Sequence, residues 1–452
     1  MYKIGVVGLG FVGLAHAAVF SSLGFKVVGI DIDKWKINNL LIGRSPIGEP
    51  GLEDLIRKGL VSGNLVFDYD YERLVKEDVD LIFIAVNTAT KRYNQSLDNL
   101  VSSVESIGNF FMNYNKPITI VLKSTVLPGV SRRIVIPLLE EKLGNTGFFY
   151  VFNPEFLREG SAVYDVLYPS RIVIGEYNKE SGDLLVNFYK DVYRDTMPPI
   201  IRTSIEAAEL SKYASNLFLA CKLSFINSVA YICENLQECD VLDIKRIMGL
   251  DERIGSKYLH PGIGFGGSCL PKDLKAFIGF VRDLKPYELL FRSIDEINDY
   301  QAVLPVKKSI ELLGSLKDRI VTVLGLSYKG GVDDVRGSRS IILVREFLKN
   351  GAIVKIYDPK ATENFISYIS KYRWYKINKR RLVKCGSIKE AIKDSDFIVI
   401  ATDWDEFKTL DPDTIIKNAK TRIIYDGRRI LDPQVFKSSN IRYYGIGRGC
   451  GK

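Results

Sequence analysis

Short apolar runs separated by stretches of helical length dominate the first third of the chain. Lys3–Val7, Lys26–Ile30, Leu65–Phe67, Asp80–Val86, Ile118–Leu122 and Phe148–Phe152 read as strands. Their alternation with helical spacing predicts a parallel sheet with crossover helices. Ile172–Ile174 and Pro199–Arg202 read as two further edge strands. The pattern then changes: from Ser204 to about Glu238 no Pro or Gly intervenes, Thr203 or Ser204 can cap, and Glu206 falls in the first turn. Apolar residues on several faces predict one long helix there, buried all round. More helix is expected at Asp243–Met248 and from Lys272 to about Leu313. Alternation resumes with strands Ile320–Leu324, Ile353–Tyr357, Phe397–Ala401, Ile423–Tyr425 and Ile441–Tyr444, and a helix at Ser340–Lys349. The expected class is α/β, with two doubly wound domains at 1–203 and 318–452. A helical part at 204–313 joins them and is suited to dimerisation.

Composition narrows the chemistry. A length of 452 residues suits three domains of roughly 150 residues. Only two histidines occur, His16 and His260, neither near a GxSxG turn, and no paired CxxC is present. That excludes an HExxH helix, a histidine metal cluster and a zinc ribbon, so no metal is expected. Bases and nucleophiles must then be of other types. The N-terminus enters a strand at once, and no apolar run reaches about 18 residues, so neither a secretory leader nor a membrane span is expected. The chain is expected to be cytoplasmic, with its six cysteines, at 221, 233, 239, 269, 385 and 450, reduced. Lys plus Arg exceed Asp plus Glu by 63 to 54, a net charge of +9. Because the bases are scattered among acids, no nucleic-acid partner is expected, and a phosphorylated small molecule suits the excess better.

Two segments carry chemistry. Gly8-Leu9-Gly10-Phe11-Val12-Gly13 follows the first strand and opens a helix. Gly8 makes the tight turn, Gly10 admits a pyrophosphate and Gly13 lets helix and strand pack, which gives the first domain a Rossmann-like reading. Asp31 ends the second strand about 20 residues on, where an acid holds ribose hydroxyls and repels a 2′-phosphate. NAD is therefore expected over NADP, although Lys36 could offset that charge. The second segment is Gly264-Phe265-Gly266-Gly267-Ser268-Cys269-Leu270-Pro271-Lys272-Asp273. Its glycines can hold a loop against a bound group with one thiol at the edge, and Lys272 can favour the thiolate. Cys221 and Cys233, on the long helix, read as core. A dinucleotide site plus a thiol points to oxidation through a covalent adduct: thiohemiacetal, hydride loss, thioester, hydrolysis.

With these motifs the chain resembles the UDP-glucose/GDP-mannose 6-dehydrogenase family. The remaining carrying segments are Val86–Thr90, Lys123–Val126, Asn153–Gly160, Glu209–Asn216, Asp251–Gly255 and Asp426–Arg429. They occur in family order across nearly the whole chain. The resemblance implies a two-step, four-electron oxidation of a sugar carbon 6 with two NAD, and a dimer at least. It implies Cys269 as nucleophile, Lys212 and Asn216 as oxyanion donors, and Asp273 as the group that positions water or takes a proton. Thr125, Glu155 and Glu159 would hold water and substrate. Lys212 and Asn216, four apart, share a helix face; the alternative for Lys212 is a surface pair with Glu209. Around the cofactor the resemblance adds Phe11, Val12, Val86, Thr88, Thr90, Ser124, Glu159, Lys272 and Arg336. Around the nucleotide sugar it adds Phe156, Leu157, Tyr258, Gly262, Phe265, Gly266, Tyr328, Lys329 and Arg428, with Arg253 reaching a neighbouring subunit's site. His260 is read as loop packing or a phosphate neighbour rather than a base.

Three departures stand out. Ala89 replaces a usual proline, which is expected to loosen a loop beside the cofactor. The Lys123–Gly129 segment carries its proline late, at Pro128, and Arg336–Ser340 lacks the usual glutamate and proline. The segments resemble the UDP-glucose branch most, so oxidation of UDP-glucose to UDP-glucuronate is the expected activity. GDP-mannose is the nearest alternative. An N-acetyl-hexosamine substrate is further off, because that branch usually has histidine before the cysteine, where Ser268 stands here. A non-catalytic nucleotide-sugar-binding protein on the same fold is the alternative of another class.

Overall fold

The computed structural model describes residues 2–449; Cys450 lies outside them. Sixteen strands occur among these residues. The first ten are β1 (Lys3–Val7), β2 (Lys26–Ile30), β3 (Leu65–Asp68), β4 (Leu81–Ile84), β5 (Thr90–Lys91), β6 (Asn94–Gln95), β7 (Ile118–Leu122), β8 (Phe148–Phe152), β9 (Ile172–Glu176) and β10 (Ile200–Ser204). Then come β11 (Ile320–Leu324), β12 (Ile353–Tyr357), β13 (Leu382–Lys384), β14 (Phe397–Ile400), β15 (Ile423–Asp426) and β16 (Arg442–Gly445). The chain divides into two compact units, Met1–Ser215 and Asn216–Lys452.

In the first unit eight strands run β10-β9-β8-β7-β4-β1-β2-β3, parallel except for the antiparallel β8–β9 pair. Most Val, Ile and Phe side chains of the inner strands are buried on both faces, as a helix-covered parallel sheet requires, whereas the edge strand β10 exposes Ile201. Chain order reverses between β1 and β4, which opens a crevice at their carboxyl ends. Of the two expected edge strands, β10 is the edge and β9 is interior. The loop after Ala89 is a hairpin rather than a loose segment: β5 pairs with β6, and Ser96 N donates to Ala89 O at 2.8 Å.

In the second unit six parallel strands run β13-β12-β11-β14-β15-β16, with the same reversal between β11 and β14. β13 has no counterpart in the sequence reading. The helical stretch expected from Lys272 to Leu313 divides into three helices, Leu270–Phe280, Glu288–Gln301 and Leu304–Leu313. Proline explains the breaks: Pro286 stands in the first gap and Pro305 at the start of the third helix, and proline tolerates only a first turn.

The long helix is Ile205–Glu234, and the Ser204 hydroxyl caps it by accepting from Ala207 N at 3.2 Å. By length and composition it could cross a membrane, yet it carries the buried charges Glu209 and Lys212. It is not buried all round. Phe218, Phe225 and Ile232 are each more than half exposed along one face. Apolar periodicity reports a face that avoids water and does not say what covers it.

Candidate active site

Each glycine of the fingerprint has a visible reason. Gly8 lies at φ +90°, where a Cβ would stand 2.8 Å from Ala85 O at the end of β4. At Gly13 a Cβ would meet Gly8 O at 1.9 Å, so only glycine lets the helix Phe11–Ser22 start so close to the turn. Gly10 has nothing within 4 Å of a would-be Cβ, so the space before the helix N-terminus is open to a pyrophosphate. Asp31 Oδ2 accepts from Leu9 N at 2.8 Å and pairs with Lys36 Nζ at 2.5 Å. An acid–base pair, rather than a lone acid, therefore stands where ribose hydroxyls are expected. The Thr90 hydroxyl is buried without a hydrogen-bond partner among the described residues, a condition a ligand would relieve. Open space at Gly10, the Asp31 carboxylate and this hydroxyl fit a dinucleotide.

Beside the fingerprint, Ser124 Oγ donates to Val86 O (2.8 Å) and Thr88 Oγ1 to Thr125 O (2.7 Å). Gln95 was not anticipated. From the β5–β6 hairpin its amide donates to Thr125 O (2.9 Å) and Tyr213 Oη (3.0 Å), and its carbonyl accepts from Leu127 N (3.1 Å). It thereby fixes the backbone that carries Thr125. Nothing in the local sequence marks it, because its three partners are distant in the chain.

Lys212 is buried, and its Nζ lies 3.0 Å from Glu155 Oε1, whose Oε2 accepts from Leu157 N at 2.6 Å. Lys212 and Glu209 are both buried, so neither belongs to a surface pair. Glu209 is buried elsewhere, accepting from Gly129 N and Ser131 N. The Phe156 ring lies 5.3 Å from Lys212 Nζ and under the Arg171 guanidinium at 3.7 Å. Glu159 is half-buried. Its loop is pinned by Glu49, another residue not anticipated, which accepts from Gly160 N (2.6 Å) and Ala162 N (3.0 Å).

A third charge sits behind this pair. Lys123 is buried, donating to Asn153 Oδ1 at 2.8 Å, and the same oxygen accepts from Tyr189 Oη. Burial pulls its pKa down to about 7, with Glu155 raising it and Lys212 lowering it. Its segment was singled out in the sequence, but no role was assigned to the lysine.

The second unit holds the thiol. Cys269 is exposed at the N-cap of the helix Leu270–Phe280, with Pro271 in the first turn. That is the positive end of the helix dipole, where an anionic sulfur is stabilised. One turn on, buried Asp273 accepts from Asn216 Nδ2 (2.7 Å) and Lys272 Nζ (2.8 Å). Cys269, Lys272, Asp273 and Asn216 are thus brought together, and Lys272 is committed to Asp273. The glycine loop is held by Asn298, which sequence reasoning missed. Its Oδ1 accepts from Phe265 N (2.7 Å), and its Nδ2 donates to Phe265 O (3.1 Å). Gly264, at φ +101°, has no room for a Cβ, since Asn298 Oδ1 stands 2.7 Å away. At Gly266 the obstacle is Gly337 O at 2.5 Å.

The expected nucleotide-sugar residues are less uniform. Arg428 Nε donates to Ala401 O (2.7 Å), and its Nη1 would lie 2.8 Å from a Cβ at Gly262. His260 Nε2 contacts Arg428 O at 2.8 Å and Nδ1 contacts Lys245 Nζ at 3.0 Å, and burial lowers its pKa. Tyr258 is partly exposed at φ +61°. Lys329 Nζ lies 5.6 Å from the Tyr328 ring. Arg336 is bidentate to Asp334. Arg253 is almost fully exposed, its guanidinium on Asp251.

Two switch-point crevices, a glycine turn built for a pyrophosphate and a loop-borne thiol beside a buried carboxylate define a dinucleotide-dependent oxidoreductase. Three models of the UDP-glucose/GDP-mannose dehydrogenase family match in order: the NAD binding domain over residues 2–194, the central domain over 206–300 and the UDP binding domain over 322–433. The chain belongs to this family of NAD-binding dehydrogenases. It is 38% identical over 446 residues to the UDP-glucose 6-dehydrogenase of Rickettsia typhi, covering 98% of this chain and 99% of that one. It is 35% identical over 446 residues to the UDP-glucose 6-dehydrogenase YwqF of Bacillus subtilis, covering 99% and 98%. Among solved structures, a UDP-glucose dehydrogenase from Pyrobaculum islandicum superimposes with a TM-score of 0.89 at 34% identity, covering 99% of this chain and 98% of that one. A UDP-D-ManNAc dehydrogenase from Pyrococcus horikoshii does so at 0.84 and 26%, covering 99% of both.

Proposed function

We propose that this enzyme oxidises UDP-glucose at carbon 6 to UDP-glucuronate in two NAD-dependent steps. The observation that carries the reading is Cys269, exposed at a helix N-terminus one turn from the Asn216–Asp273–Lys272 cluster. Bound NAD supplies the hydride acceptor, once for each oxidation. In the first oxidation the carbon 6 hydroxyl loses its proton to a water held by Asp273, leaving an aldehyde. Lys212 and Asn216 donate hydrogen bonds to the developing oxyanion. The Cys269 sulfur then adds to the aldehyde carbon, giving a thiohemiacetal, and the second oxidation leaves a thioester. Water attacks the carbonyl, the carbon–sulfur bond breaks, and the thiolate departs from the acid. Glu155 holds Lys212 in register, and Thr125 and Glu159 hold substrate and water.

Arg428, Tyr328, Lys329 and the loop from Tyr258 to Gly266 take the nucleotide diphosphate. The enzyme works as a homodimer in the cytoplasm. A second copy covers the apolar face at Phe218, Phe225 and Ile232, and the exposed Arg253 leaves Asp251 to reach the partner's site.

The similarity to a UDP-D-ManNAc dehydrogenase favours one competing substrate. Initial rates with UDP-glucose, UDP-N-acetylmannosamine and GDP-mannose, measured side by side, decide between them. UDP-glucose is expected to lead in kcat/KM by about 100-fold or more, as a pocket built around one hydroxyl pattern allows. Faster turnover of an N-acetyl sugar would overturn the assignment.

A further inference from the structure

The scattering of bases among acids that the sequence suggested fails over one stretch. Between Lys371 and Lys384 stand seven Lys or Arg and no Asp or Glu, so the rest of a chain of net charge +9 carries only +2. The stretch forms the helix Arg373–Asn378, the turn Lys379–Arg381 and the edge strand β13. Arg381 pairs with Asp318 at 2.8 Å and Lys384 with Glu363 at 2.7 Å. Lys371 Nζ sits 3.8 Å from the Tyr368 ring centre. Arg373, Lys376, Lys379 and Arg380 are exposed, and no described carboxylate lies within ion-pair distance of them.

The position separates this face from the nucleotide-sugar site. Arg381 also donates to Gly351 O at 2.9 Å. Asp318 and Gly351 precede β11 and β12, so the basic turn lies at the amino edge of the sheet. Ligand crevices of such sheets open at the carboxyl edge, where Gly325 and Tyr328 follow β11. Apolar groups accompany the charges. Ile377 is 70% exposed, while Tyr375 is buried beneath as an anchor. Half-buried Tyr372 and Trp374 stack on each other at 6.1 Å and 14°.

We propose that this face docks the protein peripherally on an anionic phospholipid bilayer. The exposed cations meet lipid phosphates, and Ile377 with the edges of Tyr372 and Trp374 enters the headgroup layer. Single-stranded nucleic acid needs free aromatic faces to stack on, and these two rings are half-buried. An isoleucine among the cations gains nothing from a phosphate backbone. The sequence predicts no membrane span, which does not bear on surface docking. The proposal does not depend on which sugar is oxidised.

The test is sedimentation of the full chain with vesicles of phosphatidylcholine alone and of phosphatidylcholine with phosphatidylglycerol in equal parts, at low and high salt. Binding is expected only to the anionic vesicles, and salt should abolish it. Lys376→Glu with Arg380→Glu should lower the partition coefficient about 20-fold or more, given the contribution of each basic residue near an anionic surface. Thermal midpoint and dehydrogenase turnover should stay unchanged, which verifies the fold. Equal binding to neutral vesicles, undiminished binding by the folded double variant, or tighter binding to a single-stranded oligonucleotide than to anionic vesicles would each overturn the proposal.

Discussion

Two residues carry the sharpest consequences. Cys269 is placed to form the covalent adduct, so Cys269→Ala should lower acid formation about a thousand-fold or more while NAD binding persists. Mass spectrometry of the products checks this, and retained acid would assign the nucleophile elsewhere. Lys123 makes a prediction about pH. Its ordinary value is 10.5, and burial lowers it to about 7. Between these values the unfolded chain keeps a proton that the folded chain has released, so stability rises with pH across the window. Below it the fold carries a buried charge. Lys123→Met removes that cost, so the variant should gain on the wild type, by a few kcal/mol at most, as pH falls from about 9 to about 6. Denaturant titrations at both pH values measure the difference; a constant offset would mean that Lys123 does not titrate there.

Local chemistry made the elements legible to different degrees. The turn Gly8–Gly13 could be read because the turn, the phosphate approach and the helix contact are all set within six residues. Its geometry separates two substitutions. Gly10→Ala meets no atom within 4 Å, so folding should change by less than about 0.5 kcal/mol, whereas NAD affinity should fall about tenfold or more because the methyl occupies the phosphate approach. Gly13→Ala collides with Gly8 O and should lower both. Calorimetric NAD titration with thermal melts of each variant distinguishes them. The cysteine loop was legible as a glycine-rich segment, but its lock, Asn298, was not: the bonds to Phe265 span 33 residues. Gln95 and Glu49 escaped for the same reason. β13 escaped because three residues among basic neighbours leave no alternation to detect. In the long helix an apolar stripe looked like core, since periodicity is the same whether the cover is the chain itself or another molecule.

For the whole molecule, charge and assembly matter most. Seven basic residues gather in the stretch from Lys371 to Lys384, and the two histidines, His16 and His260, are both engaged with main-chain oxygens. If a second copy covers Phe218 and Phe225, replacing both by Glu should shift the sedimentation coefficient to that of a monomer and lower activity at dilute concentration; an unchanged coefficient would place the interface elsewhere. The proposed reaction is a four-electron oxidation. Its most direct measurement is the NADH formed from limiting UDP-glucose with NAD in excess. About two NADH per sugar are expected, with UDP-glucuronate as the product. One NADH per sugar with an accumulating aldehyde, or none with any nucleotide sugar, would contradict it.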